Sequence, residues 1–553
     1  MLELIIPTLE DLWFREKLLA DEETMSYNHA WGGTIPFPKE KWEDWYQYWI
    51  IDHENLRYYR YLKKENDYVG EISYHYDSEY DGYVTNVIIY SKYRGKGYGS
   101  KGLEMLCLAA KENAIPVLYD DIAIDNPAID MFLKQGFYEV ERTEEKIILR
   151  KELISEIIQD AGLDYDNCLV NLANSILKQF GARTSANTLT VADEYLAKDY
   201  KNVVVLLLDA LGVSILEKHL DEAGFFRSHL KHKYSSVYPP TTVAATTSML
   251  SGLYPNEHGW LGWDMYFPEL DKNVMVFRNQ EQRTEREGAT PDIREEDKSI
   301  IWGKDSLKES SVVADFDAAS KYIPYTNIMD KINEANDHTC AYASMPYIEP
   351  YPNTLEKILE RIKELCDEPG QKFIYSYWEE PDSTMHKTGT ISSETHKVVT
   401  SIEKMVEEFA LELSDTLLFI TADHGHIDSN NLCILDYPEV VNCLKRMPSI
   451  ETRTLNLFVK EECMDQFPVI FKRNFGNKFL LLKREEALKE NLFGVGKNRE
   501  NLNELLGDYI ALATSNTSIF NTHFDMQRMP GCHAGLTVEE TCIPLIIVEG
   551  QVK

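Results

Sequence analysis

The stretch "NVVVLLLDA", Asn202 to Ala210, decides how the fold is read. Its apolar residues run unbroken from Val203 to Leu208, without the alternation of a strand that has one wet face. Such a run is expected of a strand buried on both faces of a parallel sheet. "FIYSYW" (Phe373–Trp378) and "DTLLFITADHG" (Asp415–Gly425) have the same character. "TLEKILERIKELC" (Thr354–Cys366) reads as an amphipathic helix leading into the first of these. "NCLVNLANSILKQFG" (Asn167–Gly181) reads as a helix with a glycine cap. Strands alternating with helices predict an α/β layout with a mostly parallel sheet.

Working outward, each apolar run ends in acid. Asp209 closes the first, Asp382 and His386 follow the second in "EEPDSTMH", and Asp423 and His424 follow the third in "TADHGH". That edge is where open α/β sheets build their sites. One such aspartate alone reads as a helix cap. Three, two of them with a histidine close by, exceed what capping needs. Mixed aspartate and histidine ligands suit zinc or a similar divalent ion. Asp382 and His386, four apart, reach one side of a helical turn. Near the C-terminus, "GCHAG" supplies His533 in a glycine-flanked loop. "PPTTVAATTSMLSGLYPNEHG" (Pro239–Gly259) holds Thr241, Thr242, Thr246 and Thr247 within seven residues. A threonine hydroxyl is a weak nucleophile until a metal or base activates it. From this stretch alone, a cap and a nucleophile remain alternative readings. His258 and His426, also inside these motifs, read as structural.

The pattern changes near residue 150. Before it, a β-rich run reaches Tyr90, and Arg94-Gly95-Lys96-Gly97-Tyr98-Gly99-Ser100 then opens a helix through Leu103, Leu106 and Ala110. Glycines let backbone approach a diphosphate, amides at a helix start bind the anion, and Arg94 and Lys96 add charge. Trp42, Trp45, Tyr46 and Trp49 have helical spacing and read as core. These changes place domains at residues 1–152 and 153–553. The charged stretch Asn279–Lys298 has no apolar period and reads as an exposed insertion, part of a cap.

The charge of −34, from 57 basic and 91 acidic residues, argues against nucleic-acid partners. Nine scattered cysteines without a CxxC pair fit reduced thiols in a cytosol rather than a disulfide framework. The N-terminal residues lack a signal-peptide pattern, and no apolar run of about eighteen residues predicts a membrane span. The expectation is a cytoplasmic protein with small-molecule partners.

Two resemblances add to this reading. The Arg-x-x-Gly-x-Gly loop, followed by "DNPAIDMFLKQGFYEV", resembles the acetyl-CoA signature of GNAT-family N-acetyltransferases over roughly residues 1–150. That resemblance implies an α+β domain whose loop residues Arg94 to Ser100 hold the CoA pyrophosphate. It implies pairing of Val87 and Ile89 with the pantetheine arm and Asn126 beside it, with acetyl-CoA as cosubstrate and an amine as acceptor. Where the family often has a tyrosine acid, this sequence has Phe132, and Glu71 is the candidate base. Acetyl-CoA binding is therefore better supported than turnover.

The elements "LLLDALG", "TTVAATTSMLSGLYPNEHG", "EEPDSTMH", "TADHGH" and "GCHAG", in this order over roughly residues 160–550, resemble the alkaline phosphatase superfamily, closest to its nucleotide pyrophosphatase/phosphodiesterase branch. The resemblance implies a mostly parallel sheet with cap insertions and two divalent metals, zinc with manganese as the alternative. Asp382, His386 and His533 would hold one. Asp209, Asp423, His424 and a threonine oxygen would hold the other. In relatives the nucleophile stands ten residues before the glycine of "GLYP", which selects Thr242. The implied chemistry is hydrolysis of a phosphodiester or pyrophosphate through a phospho-threonine. Relatives often carry an asparagine three residues later; here Ala245 stands there, leaving Thr246, Thr247, a backbone amide or the insertion to replace that donor. Trp260 and Trp263 read as a base-stacking pair or as core. The alternatives are a phosphomonoesterase, phosphonate hydrolase or phosphomutase with a non-catalytic CoA-sensing domain.

Overall fold

The computed structural model describes residues 1–294, 298–336 and 338–550. The chain divides into two compact units: Met1–Ile157 with Asp465–Leu481, and Ile158–Met464 with Leu482–Lys553.

The first unit is built on a seven-stranded sheet. Its strands are β1 (Leu2–Ile5), β2 (Arg57–Lys64), β3 (Asp67–Asp77), β4 (Gly82–Ile89), β5 (Val117–Ala123), β6 (Tyr138–Arg142) and β7 (Lys146–Glu152). They lie in chain order except that β7 sits between β5 and β6. Helices α1 (Trp13–Ala20), α2 (Tyr98–Glu112) and α3 (Ile129–Lys134) complete the α+β unit. All neighbours are antiparallel except β4 and β5. Those two pair only at Tyr83 with Leu118 and Val84 with Tyr119, and then part. The aromatic cluster is core: Trp42 is buried, and Trp45, Tyr46 and Trp49 pack against buried Phe14, Leu12 and Tyr59. Residues 465–481 join this unit through contacts such as the Arg473–Glu54 pair at 3.2 Å.

The second unit carries a six-stranded sheet of β8 (Asn202–Leu208), β9 (Leu230–Ser235), β10 (Thr339–Ser344), β11 (Gln371–Trp378), β12 (Thr416–Thr421) and β13 (Cys542–Glu549). The order is β10-β11-β8-β12-β13-β9. The first four strands are mutually parallel; β13 runs antiparallel to β12 and to β9. Every residue of β8 is buried, as the opening stretch requires. The helices that build the layers and the site are α4 (Leu169–Gln179), α5 (Thr242–Ser251), α6 (Leu355–Asp367), α7 (Asp382–Thr388) and α8 (Ser393–Glu412). In α6, Leu355, Ile358, Leu359, Ile362 and Leu365 form the buried stripe, and Thr354 caps the start by accepting from Lys357 N at 3.4 Å. Each such apolar side chain contributes about 1.5–3 kcal/mol on burial.

A second, antiparallel sheet includes Asp264–Phe267, Lys272–Met275, Ser449–Ile450, Thr454–Leu457 and Tyr509–Ala513. The insertion Asn279–Lys298 contributes Asp292–Ile293, paired with Ile300–Ile301; its residues 295–297 lie outside the described residues. Among the described residues no helix is long and apolar enough to cross a membrane.

Candidate active site

Because β11, β8 and β12 are adjacent and parallel, their C-terminal ends meet at one edge, and the acids that follow them converge. Asp209 N donates to Trp378 O at 3.0 Å, and Asp382 N donates to Asp209 O at 3.2 Å. Ala210, held at φ 59°, points its amide at Asp423 Oδ1, 3.0 Å away. Past β12 the chain must turn sharply. Gly425 lets the chain pass close against the segment at Glu539, where a Cβ would meet Glu539 O at 1.9 Å, and its amide donates to Glu540 O at 2.8 Å. Asp423 and His424 therefore both face the edge although they are sequence neighbours.

Two triads result. One ligand-capable atom each from Asp209, Asp423 and His424 lies within 4.8 Å of the others, and the same holds for Asp382, His386 and His533. The distant "GCHAG" loop is brought in by a fully buried ion pair. Arg453 Nε and Nη2 bind Glu540 at 2.7 and 2.8 Å, and Glu540 Oε1 also accepts from Gly535 N at 2.7 Å.

Every triad imidazole is turned by a backbone carbonyl. His386 Nδ1 faces Gly531 O at 2.9 Å, His424 Nδ1 faces Gly425 O at 2.9 Å, and His533 Nδ1 faces Pro240 O at 3.3 Å. Each carbonyl accepts from Nδ1–H, which leaves the Nε2 lone pair for a ligand. His386 Nε2 lies 3.3 Å from Asp382 Oδ2, and His424 Nε2 lies 3.3 Å from Asp209 Oδ1. Asp382 Oδ1 and Asp423 Oδ2 are buried without a hydrogen-bond partner among the described residues. Orphaned carboxylate oxygens beside neutral imidazole lone pairs are the donor set a divalent cation takes. The residues present fit two such ions.

The charges agree. Burial, then the neighbouring Asp423 and Asp382, push the Asp209 carboxyl well above its usual range. Burial also raises Asp382, but His386, His426 and His533 outweigh it and hold that carboxyl low. Burial, then His424, hold the His533 ring far below an ordinary imidazole.

Thr242 is the first residue of α5, where helix amides lack intrahelical partners. Its Oγ1 is 3.3 and 3.4 Å from the Asp209 carboxylate oxygens and 3.2 Å from His424 Nε2. Thr241, the neighbouring hydroxyl, instead donates to Glu451 Oε1 at 2.7 Å. Ala245 is fully buried. Thr246 Oγ1 donates to Thr242 O at 2.5 Å, so this hydroxyl braces the helix start. The first-turn amides of α5 and Arg283 of the insertion, which lines the cavity, are then candidate donors to a phosphoryl group.

A cavity of about 970 Å³ is lined by Asp209 and Thr242 and by all of Asp382, His386 and His533. Trp263, Phe277, Tyr347, Arg278 and Glu451 line it, and Arg283 of the insertion reaches it while pairing with Asp525 at 2.8 Å. Trp260 does not; its Nε1 donates to Ile323 O at 2.8 Å in the core. His258 is buried against Ser248 Oγ at 3.0 Å, and burial lowers it to about 3. The motifs did not point to Tyr377, whose hydroxyl donates to Asp209, or to Glu451. Glu451 carries no local signal, because the groups that donate to its carboxylate, Thr241 and the Trp263 amide, are 210 and 188 residues away in sequence; Tyr377 sits in the "FIYSYW" strand one residue before its end.

In the first unit the parting of β4 from β5 leaves Val87 and Ile89 beyond their shared pairing. Gly95 and Gly97 have φ of 72° and 80°, and Gly97 precedes Tyr98, Gly99 and Ser100 at the start of α2. Only glycine takes such angles freely. Lys96 is exposed on this loop. Arg94 departs from the expected role. Its Nη1 donates to Glu23 O at 3.0 Å and its Nη2 to Thr24 O, so it anchors the loop. Asn126 Oδ1 accepts from Ala128 N at 3.0 Å, just before α3. Phe132 packs on Phe137 with centroids 5.0 Å apart. Glu71 is buried, paired with the Arg15 guanidinium and accepting from the Tyr59 hydroxyl. A carboxylate so engaged is a poor base.

Residues 203–515 match the family model of type I phosphodiesterase / nucleotide pyrophosphatase, and residues 18–137 that of the acetyltransferase (GNAT) family. The first match covers more than half of the chain, which belongs to the type I phosphodiesterase / nucleotide pyrophosphatase family. Ectonucleotide pyrophosphatase/phosphodiesterase family member 3 of Rattus norvegicus is 23% identical over 243 residues, 41% of this chain and 25% of the rat protein. The similarity thus spans about a quarter of that relative's length. Murine ectonucleotide pyrophosphatase/phosphodiesterase 5 aligns over 63% of this chain and 88% of its own, with TM-score 0.45 and 16% identity. An N-acetyltransferase from Staphylococcus aureus Mu50 aligns over 28% of this chain and 99% of its own, with TM-score 0.24 and 17% identity.

Proposed function

We propose a bifunctional protein. The larger unit hydrolyses phosphodiester or pyrophosphate bonds with two divalent ions, zinc foremost, through a phospho-threonine at Thr242. The smaller unit binds acetyl-CoA. The observation that carries the first reading is the Thr242 hydroxyl at a helix start, within 3.4 Å of both Asp209 and His424.

Asp209, Asp423, His424 and Thr242 would hold one ion, and Asp382, His386 and His533 the other. When bound, such ions lower the pKa of an alkoxide precursor and neutralise phosphoryl charge. The protein's own residues do the rest. Thr242 Oγ1, having lost its proton to water, bonds to phosphorus as the bond to the leaving oxygen breaks, and that oxygen takes a proton from water. A second water then bonds to phosphorus, the Oγ1–phosphorus bond breaks, and Thr242 regains its proton. The amides of the first turn of α5 face the phosphoryl group, where a helix start favours an anion. Trp263, Phe277 and Tyr347 receive the ester's non-reacting part.

The test is a phosphoester screen of metal-loaded protein, wild type against Thr242→Ala. The variant should lose on the order of 10³-fold or more in kcat while keeping its fold. Equal hydrolysis by both proteins ends the mechanism.

For the smaller unit, the parted β4 and β5 and the Gly95–Gly97 loop support acetyl-CoA binding. The engaged Glu71 and the core position of Phe132 favour a sensor over an N-acetyltransferase. Calorimetry should give acetyl-CoA binding without CoA release across a panel of amines. Robust release restores the transferase reading.

A further inference from the structure

His426 closes "TADHGH", two residues after His424, and the mechanism above does not use it. Its side chain is 0% exposed. Neither ring nitrogen makes a well-formed hydrogen bond among the described residues. Buried polar groups are nearly always satisfied, so this ring needs an account.

Its surroundings supply one. His426 Nδ1 lies 3.2 Å from Asp382 Oδ1, the very oxygen left without a partner. The ring stands edge-on to His386, with centroids 4.7 Å apart and planes at 74°. Its far edge lies against Gly531, where a Cβ would come within 2.7 Å of Nε2. Gly531 is the residue whose carbonyl turns His386, and it stands two residues before His533. His426 therefore touches one member of the Asp382–His386–His533 triad and the peptide that orients another. It lies outside the triad's own sphere of mutually close ligand atoms.

We propose that His426 is a positioning residue for the cation held by Asp382, His386 and His533, donating its Nδ1–H to Asp382 Oδ1. The inference rests on the two-metal reading. The 3.2 Å separation is within donor reach but poorly aligned, and a cation drawing on Asp382 would seat the carboxylate between the two. Tyr377 does the same for Asp209 in the other triad, where its hydroxyl holds Oδ2. An apolar residue at 426 would fill the same space but leave Asp382 free to rotate. Outer-shell partners of this kind commonly set metal affinity by about 10–100-fold.

The test uses the full chain and zinc alone, with metal content by elemental analysis and affinity by competition against a chromophoric chelator. His426→Leu keeps the volume and removes the donor. His426→Asn places an amide N–H where Nδ1 stands, and His426→Gln places it towards Gly531 instead. Wild type should bind two ions. His426→Leu should bind one of them about 10–100-fold more weakly, with the metal-free form melting as wild type does. His426→Asn should restore the affinity and His426→Gln should not. In cobalt-loaded protein, the visible spectrum should change for the Leu variant and return for the Asn variant. Two wild-type affinities in His426→Leu overturn the proposal. If the Leu variant does not fold, equal affinities for Asn and Gln overturn it. A wild-type chain that takes up no ion removes the two-metal reading and this proposal together; two ions in wild type with an unaffected Leu variant removes this proposal alone.

Discussion

The two triads differ in how they meet solvent. In the Thr242 triad, the side chains of Asp209, Asp423 and His424 are at most 3% exposed. In the other, Asp382, His386 and His533 range from 8 to 20%. Both triads draw on the same two kinds of donor, two carboxylates and a histidine in one and one carboxylate and two histidines in the other, and every triad imidazole is locked by a backbone carbonyl. The difference comes from the elements beneath. Asp209, Asp423 and His424 leave adjacent central strands, so the sheet covers them. Asp382 and His386 sit on the short helix α7 and His533 on a loop, so the cavity reaches them. A sealed triad suits a nucleophile that must not move. An open one suits the place where leaving group and water come and go.

Three changes would break or sharpen that contrast. The largest effect is expected from Glu540→Ala. It strands the fully buried Arg453 guanidinium and frees Gly535, so the loop bearing His533 loses its anchor. Removing one partner of such a pair costs about 3–5 kcal/mol. Denaturant unfolding should show that loss, with the open triad's ion lost first. Weakened binding of the other ion instead would reverse the contrast. Next, chelation of the loaded wild type should release the two ions at separate rates, the exposed triad's ion sooner. A single release step followed by a metal-sensitive dye would erase the distinction. The smallest effect is expected from Tyr377→Phe, which removes the hydroxyl on Asp209 and leaves the packing. It should weaken one ion by about 10-fold, at the low end of outer-shell effects. The affinity of the other ion should not change.

Much of the larger unit was legible because burial leaves a local trace. The run Val203–Leu208 and its two counterparts have the length and continuity expected of strands covered on both faces, and they are β8, β11 and β12. Acids at their ends then had to share an edge. The smaller unit was less legible. Its glycine loop was evident, because φ above 60° at Gly95 and Gly97 leaves few other residues. The partners of Arg94 and Glu71 were not, because they come from Glu23, Thr24, Arg15 and Tyr59, which no spacing rule connects to them. Residues 465–481 joined the first unit for the same reason.

The sequence by itself determined the strands, the order of the acid and histidine motifs, and the glycine positions, since each follows from periodicity or backbone freedom within a few residues. The count back from "GLYP" selected Thr242, but only the tertiary structure gives the physical reason that this hydroxyl and not Thr241 faces the triads. Thr241 and Thr242 are neighbours, yet one donates to Glu451 and the other lies against Asp209 and His424. That choice depends on where β8, β12 and the strand before Glu451 bring their ends. Side chains from distant segments meet by packing, and packing has no signature in any one of them.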